Sequence, residues 1–386
     1  MTDVATLSGA VALAVALLGT PVAIRVAHAR GWHSVPRADR WASRPVALMG
    51  GLAIVAAFFS GAATAGLFGQ RDFALVLGVA AVISVLGLID DRRLVDPAPK
   101  LVIEIVAAAV VIWTGEQLAT DWPRLLSWPV TVLFVVGITN AVNLLDNMDG
   151  LAGGVVAVLC GGAALILGRS GDTSGAALAI AASGACLGFL AYNAPPARVY
   201  MGDCGSLALG FLTAYLALRV GRFGAGTVDP AWAWAVPVVL VALPIMDTTL
   251  VTLSRIRAGR SVAQGGRDHV SHRLVMSGLG ERGAVGLLVV MAAASVGVVY
   301  AAQYSAAAFT MTAALLLLVL VALFVRLVLL DPYVAAPNPL PATVEPRSSP
   351  PRGAELPSGA LAPYRAGAPP GWLERDHRDS TVDLGG

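Results

Sequence analysis

Long apolar stretches, broken by short polar ones, run along most of this chain. The longer of them match the length a helix needs to cross a hydrocarbon layer. The pattern predicts eleven spans, at residues 4–24, 46–67, 73–89, 101–115, 127–141, 151–168, 175–192, 205–220, 231–253, 282–302 and 306–330. The short alternating segments of a membrane barrel are absent. The expected fold is all-α: a polytopic membrane domain over residues 1–330, followed by a tail at 331–386. That tail is rich in Pro, Gly, Ser and Ala and reads as disordered. The first run is followed by Ala27-His28-Ala29, which resembles a leader cleavage site, but Asp3 stands where a leader carries basic residues, so the run is kept as a span. No internal repeat of the kind common in transporters is visible.

Composition supports this class. The 386 residues are 57% hydrophobic and 13% charged, against about 25% charged in soluble domains. The net charge of +2 says little about partners, and nucleic acid is not expected among them. The placement of the charges says more. Loops 25–45, 90–100, 141–150, 193–204 and 254–281 carry fourteen basic residues, and the alternate loops carry five. The positive-inside rule places the first set in the cytoplasm, with the N-terminus outside and the C-terminus inside. Cys160, Cys186 and Cys204 have neither disulfide-framework nor metal spacing and read as packed thiols.

Polar clusters with chemical content fall in the loops assigned inside. In "PARVYMGDCGSLALGF", Asp203 lies on a Gly-rich turn beside a long apolar run. A carboxylate costs roughly 3 kcal/mol at the centre of a membrane helix, so such a residue is read as functional. The turn suits phosphate at a helix N-terminus, and Asp203 beside it suits Mg²⁺. In "GLIDDRRLVDPAPK", Asp90 and Asp91 repel and call for a cation, and Lys100, the single lysine, can bind phosphate as a point charge. An acidic pair alone fits a solvated interfacial loop equally well. In "TNAVNLLDNMDGLAGG", Asn140, Asn143, Asp146 and Asp149 stand three apart, which places them on one face of a helix end. A polar cap is the plainer alternative. In "GGRDHVSHRL", His269 and His272 flank Ser271, with Asp268 and Arg273 beside them, and such a pair binds diphosphate or acts in acid–base chemistry. Arg37, Arg40 and Arg44 in "PRADRWASRPVALMGG" are accounted for by topology alone.

These segments, in this order, resemble the polyprenyl-phosphate N-acetylhexosamine-1-phosphate transferase family, also called glycosyltransferase family 4. The pair "NAVNLLDNMDGLAGG" and "RVYMGDCGSLALGF" is the specific part, and the resemblance covers residues 35–280. It implies a phosphotransferase that moves a sugar-1-phosphate from a UDP-N-acetylhexosamine to a polyprenyl phosphate at the cytoplasmic membrane face, releasing UMP. Mg²⁺, or Mn²⁺ in its place, is the implied cofactor, and a homodimer in the plasma membrane is a family expectation. By motif position, Asp203 and Asn143 would hold the metal. Asp90 and Asp91 would meet the lipid phosphate, one of them as a base. Lys100 would bind phosphate. Asp146, Asp149 and Tyr200 would line the nucleotide pocket, Asn140 and Arg198 would bind substrate, and His269, His272 and Arg273 would contact the sugar diphosphate, His269 as a catalytic residue. The last inner loop resembles the N-acetylglucosamine-1-phosphate branch more than the phospho-N-acetylmuramoyl-pentapeptide branch.

The chain departs from the family pattern at four positions. Ala42 stands where His is common, Asn147 where Gly is usual, Ser271 where a third His is frequent, and Cys204 where Thr or Ser is frequent. No motif carboxylate is lost. Two competing classes remain open from sequence: a transporter using membrane acids for ion coupling, and an inactive relative.

Overall fold

A computed structural model describes residues 2–34, 45–93, 95–119, 121–262, 265–330 and 332–333. The first-loop residues Arg37, Arg40, Ala42 and Arg44, and the expected tail beyond residue 333, lie outside the described residues. The helices run in chain order: α1 (Thr2–Arg30), α2 (Gly50–Thr64), α3 (Arg71–Asp90), α4 (Pro97–Trp113), α5 (Arg124–Leu145), α6 (Leu151–Arg169), α7 (Thr173–Asn193), α8 (Gly202–Phe223), α9 (Ala235–Leu240), α10 (Ala242–Arg257), α11 (Val270–Met276), α12 (Glu281–Ala301) and α13 (Ala306–Val328). An all-α fold follows from the solvent: with no water in hydrocarbon, a chain this apolar must satisfy its backbone within each segment. Among the described residues, eight helices are long and apolar enough to span a membrane. The other three predicted spans coincide with α2, α4 and the α9–α10 pair, which are shorter.

The ninth predicted span, 231–253, is not one helix. It breaks at Val241, where φ and ψ are −103° and 25°. Pro244 has no N–H to give the carbonyl of Leu240, and its ring crowds that carbonyl, so the helix restarts one residue on. The loop predicted over 254–281 contains the short helix α11.

Helix α8 is the core of the bundle and packs against α2, α3, α5, α6 and α9. Its most apolar window is 89% buried, whereas that of α13 is 11% buried and turned outward. Helices α1, α2 and α7 approach closely through small residues. A side chain on Gly184 would sit 2.4 Å from the carbonyl of Gly9, and the Ser8 hydroxyl bridges the carbonyls of Gly61 and Ala177 at 2.8 and 3.2 Å. All three cysteines are buried free thiols.

A small sheet braces the head of α8. Strands β1 (His33–Ser34) and β2 (Val46–Ala47) pair antiparallel, His33 opposite Ala47. Ala47 bridges in parallel to Val199. Tyr200 N–H then bonds Ala47 O, and Gly50 and Gly51 N–H bond the carbonyls of Tyr200 and Met201. Thus the start of α2 is clamped onto the turn that opens α8.

The far end of α8 is closed by charge. Arg219 lies sixteen residues past Asp203, about 24 Å along the helix at 1.5 Å per residue. Its guanidinium binds both oxygens of Asp172 and, at 2.8 Å, Glu116 Oε1, and lies 4.7 Å from the Phe73 ring centroid. Arg222 adds a 3.3 Å contact to Glu116. Glu116 is wholly buried, so its charge depends on these partners.

Removing one partner of such a pair strands the other. Arg219→Ala is expected to destabilise the protein by about 3–5 kcal/mol, and Arg219→Lys by less, since it keeps the positive charge although a point charge cannot fork across Asp172 and Glu116. Thermal unfolding of the detergent-purified protein measures both, and unchanged midpoints would contradict this role.

Candidate active site

The first turn of α8 carries N–H groups with no partner inside the helix. Asp91, at the end of α3, reaches across to accept from Asp203 N–H at 2.8 Å and Cys204 N–H at 3.1 Å. Both oxygens of this carboxylate are engaged, one with each amide. A negative group here also meets the positive end of the helix dipole. Burial pushes the Asp91 carboxyl above its ordinary value, and nearby Asp90 adds to that, while the two N–H bonds pull the other way. The turn fits because two glycines leave room. Gly202 has φ +69°, and a side chain on it would collide with the Asp91 carboxylate. A side chain on Gly87 would sit 2.3 Å from the Asp203 carbonyl.

With its backbone held, Asp203 projects its side chain among three other elements. Asn143 on α5 donates to Asp203 Oδ1 at 3.1 Å and to Ser206 Oγ at 2.8 Å. Lys100, in the first turn of α4, has Nζ 3.5 Å from Asp203 Oδ2 and is ion-paired to Asp90 Oδ2. The other oxygen of Asp90 accepts from Val95 N–H at 2.8 Å. Asp203 and Lys100 side chains are 32% and 23% exposed and Asp90 only 9%, so the first two form the open mouth of the site. Asn140 donates to Glu104 Oε2 at 2.6 Å. Glu104 is buried one helical turn past Lys100, and the sequence reading passed over it although that spacing places it on the same face of α4.

The expected single face for Asn140, Asn143, Asp146 and Asp149 holds only for the two asparagines. Helix α5 ends at Leu145, and Asp146 takes φ −76° and ψ 46°. The half-buried Asp146 therefore opens a loop. Asp149, also half-buried, accepts from Ala197 N–H at 2.8 Å and ties that loop to the strand-like segment before Asp203. Tyr200 is half-buried, with its backbone in the bridge to Ala47 and Gly50. Arg198 is exposed and lies 6.0 Å from the Tyr192 ring.

The histidine segment forms a second, buried cluster. His269 Nδ1 lies 2.8 Å from Asp247 Oδ2, and Val270 N–H donates to Asp247 Oδ1 at 2.8 Å. Asp247 is fully buried on α10. It was missed in the sequence, although an acid inside the ninth predicted span is itself a signal. Asp268 is gripped by the Arg255 guanidinium at 2.8 and 3.0 Å and accepts from Tyr333 OH at 2.9 Å. Burial would raise the Asp268 carboxyl, but Arg255 outweighs it and holds it below its ordinary value.

Arg273, assigned to the sugar diphosphate, is fully buried. Its guanidinium donates to the carbonyls of Asp268 at 2.9 Å and Leu327 at 2.6 Å and to the Ser254 hydroxyl, so it fixes α11 to α10 and α13. His272 is 3% exposed, and burial, aided by His269, pushes its imidazole down to about 4. The two clusters are joined through Ser271, whose hydroxyl donates to Asn147 Oδ1 at 2.6 Å.

Chemically, three carboxylates and one lysine crowd the head of α8, and that acidic excess favours a further cation. Among the described residues no group of three His, Cys, Asp or Glu side chains is arranged to hold a metal unaided. A cation at Asp203 thus needs ligands from water or from a bound phosphate, which is how Mg²⁺ is commonly held.

Comparison with known proteins finds similarity over the helices that carry this site. Residues 73–221 match the family described as Glycosyl transferase family 4. The chain is 32% identical over 293 residues to the probable undecaprenyl-phosphate N-acetylglucosaminyl 1-phosphate transferase of Bacillus subtilis (strain 168), covering 70% of this chain and 77% of that protein. It is 32% identical over 321 residues to the decaprenyl-phosphate N-acetylglucosaminephosphotransferase of Mycolicibacterium smegmatis, covering 71% and 78%. The phospho-N-acetylmuramoyl-pentapeptide-transferase of Synechococcus sp. (strain JA-3-3Ab) matches at 34% over 206 residues, covering 52% and 58%.

Two outcomes follow from this geometry. Asp91→Asn leaves one acceptor oxygen for two N–H groups, and amide exchange in a peptide spanning residues 199–208 is expected to speed up while that of α13 is unchanged. Equal exchange in both proteins would remove Asp91 from the cap. His272 titrates near 4 when folded and at 6.5 as a free side chain. The unfolded chain therefore takes up this proton first, so the contribution of His272 to stability is complete above 6.5 and is lost as pH falls toward 4. The thermal midpoint should drop less over that window in His272→Gln than in the parent; parallel curves would contradict the assignment.

Proposed function

On the premise that the chain belongs to glycosyl transferase family 4, we propose that it transfers N-acetylglucosamine-1-phosphate from UDP-N-acetylglucosamine to a polyprenyl phosphate. The names of its relatives support this reading, and the observation that carries it is the Asp90–Lys100–Asp203–Asn143 cluster at the N-terminus of α8. The chain is a multi-pass membrane protein, and the excess of basic residues in the loops on this side supports a reaction at the cytoplasmic face of the plasma membrane.

In the reaction an oxygen of the polyprenyl phosphate attacks the sugar-bearing phosphorus of the UDP-sugar. The bond from that phosphorus to the bridging oxygen breaks, and UMP leaves. Such transfers are governed by positioning and charge neutralisation more than by covalent help. Lys100 is a partly exposed cation at the mouth, and a phosphate that draws it away from Asp90 would free that carboxylate for the acceptor phosphate. Asp91, with an amide on each oxygen, positions Asp203 rather than meeting the lipid. Asp203 would hold one Mg²⁺ or Mn²⁺ arriving with the substrate diphosphate, and Asn143, whose amide nitrogen faces Asp203, would join it with its amide turned. When bound, that ion neutralises charge on the diphosphate and on departing UMP. Asp146, Asp149, Arg198 and Tyr200 lie along the loop and segment that lead into this cluster and suit the nucleotide.

The detergent-purified protein supplied with UDP-N-acetylglucosamine, polyprenyl phosphate and Mg²⁺ should release UMP. Asp203→Ala should lower the rate by about a hundredfold or more, as expected when charge stabilisation at a transferring group is lost. Turnover with the muramoyl-pentapeptide nucleotide alone would move the chain to the other branch, and no turnover with any UDP-N-acetylhexosamine would refute the proposal.

A further inference from the structure

Three consecutive residues at the end of α3 face three different neighbours. Asp90 turns to Lys100 on α4, Asp91 to the head of α8, and Arg92 to the start of α2, where its Nη2 lies 3.9 Å from Met49 Sδ. The Arg92 guanidinium lies 3.8 Å from the centroid of the Trp32 ring. That of Arg30, the last residue of α1, lies 5.6 Å from the same centroid. Trp32 is itself fixed by its backbone: its N–H donates to Ala27 O at 2.8 Å, and its carbonyl accepts from Leu48 N–H at 3.1 Å. Both arginines are exposed, and among the described residues neither is paired with a carboxylate. Two like charges held against one ring repel, so an anion between them is favoured.

Next to this rim, α2 and α3 part to leave an apolar groove of about 260 Å³. Its walls are Leu52, Val55 and Phe59 on α2 and Ala81, Val85 and Leu88 on α3. Leu88 stands one turn before Arg92 and Leu52 one turn after Met49, so the groove begins beside the Arg92–Met49 contact. A hydroxyl on its wall, that of Ser84, is spent on Ala80 O at 2.7 Å. From Ala81 to Leu88 the groove runs about 10 Å along α3, which keeps it within one leaflet of a hydrocarbon layer about 30 Å thick. A positive-inside excess and an interfacial aromatic account for the arginines and the ring separately, but not for their joining at the head of a groove. An apolar slot one leaflet deep with a cationic rim matches a phospholipid, tail to slot and anionic headgroup to rim. We infer that the α2–α3 groove binds an anionic phospholipid, with an acyl chain between Leu52 and Val85 and the headgroup phosphate at Arg92 and Arg30 beside Trp32. The acceptor of the proposed function needs its phosphate at Lys100, on the α4 side of Asp90, so this groove serves a second lipid. A lipid held there ties the start of α2 to the end of α3, and both segments brace the turn that carries Asp203.

The test is native mass spectrometry of the full-length, detergent-purified protein titrated with dioleoyl phosphatidylglycerol or dioleoyl phosphatidylcholine. The parent should retain one phosphatidylglycerol in preference to phosphatidylcholine. Arg92→Gln and Arg30→Gln should each weaken phosphatidylglycerol binding about fivefold, the range for one arginine near a lipid headgroup, and leave phosphatidylcholine unchanged. Val85→Trp, at a groove position that is 56% exposed, should weaken it at least as much with both arginines intact. Arg124→Gln is the control. Arg124 lies 5.9 Å from the Trp128 ring at the opposite end of the bundle, and its loss should change nothing. Variants are compared at matching thermal midpoints. Equal affinity for the two lipids, an equal loss in Arg124→Gln, or binding that persists in Arg92→Gln would overturn the headgroup contact. Persistence in Val85→Trp would overturn the groove. Displacement by millimolar inorganic phosphate would reduce the site to an anion patch, and displacement by equimolar polyprenyl phosphate would give the groove to the acceptor; either would overturn the inference. None of these measurements reads turnover, so failure of the transferase reaction and failure of the lipid site are distinguishable.

Discussion

Everything at the head of α8 depends on one problem of helix chemistry. The first N–H groups of a helix have no partner within it, and here they lie inside a packed bundle where an unsatisfied group is costly. Asp91 resolves this from a different helix, with one oxygen on the amide of Asp203 and the other on that of Cys204. The solution constrains its surroundings. The end of α3 must approach the turn closely, which Gly87 and Gly202 allow and any side chain there would prevent. The start of α2 must lie on the same turn, and Gly50 and Gly51 bond to it through their backbone. Asp203 is then aimed by its backbone, and its side chain is left to Asn143, Lys100 and solvent.

The two ends of α8 use charge in opposite ways. At the Arg219 end, two arginines meet Glu116 and Asp172 in a closed and largely buried set. At the Asp203 end, two acids share one lysine beside a third acid held by backbone amides, and the mouth stays open. A balanced cluster holds helices together. An unbalanced, open one is poised for a charged ligand and is the better candidate for chemistry. The same contrast separates Arg273, whose charge is spent on carbonyls and a hydroxyl, from Lys100, which pairs with Asp90 and Asp203 at the open mouth.

The helical class was plain in the sequence because apolar run length reports directly on the membrane. The convergence of Asp90, Lys100, Asn143 and Asp203 was also legible, since topology puts their loops on one side and motif order relates them. The break at Val241 was less so, because hydropathy continues smoothly across it and only the offset of Pro244 from Leu240 marks it. Asp247 and Glu104 were passed over for a related reason: each sits singly within an apolar run and gains its meaning from a partner far along the chain, His269 in one case and Asn140 in the other. The burial of Arg273 was not legible, because the sequence shows a charge beside two histidines without showing that it points into the protein.

The central claim is that Asp203, held at the head of α8, shares a divalent cation with the diphosphate of a nucleotide sugar. The most direct measurement is electron paramagnetic resonance of Mn²⁺ titrated into the purified protein, with and without UDP-N-acetylglucosamine. The account expects one Mn²⁺ bound per chain only when the nucleotide sugar is present, beyond what the nucleotide binds by itself, and expects that site to vanish in Asp203→Asn. Mn²⁺ binding that ignores the nucleotide sugar, or that persists unchanged in Asp203→Asn, would contradict it.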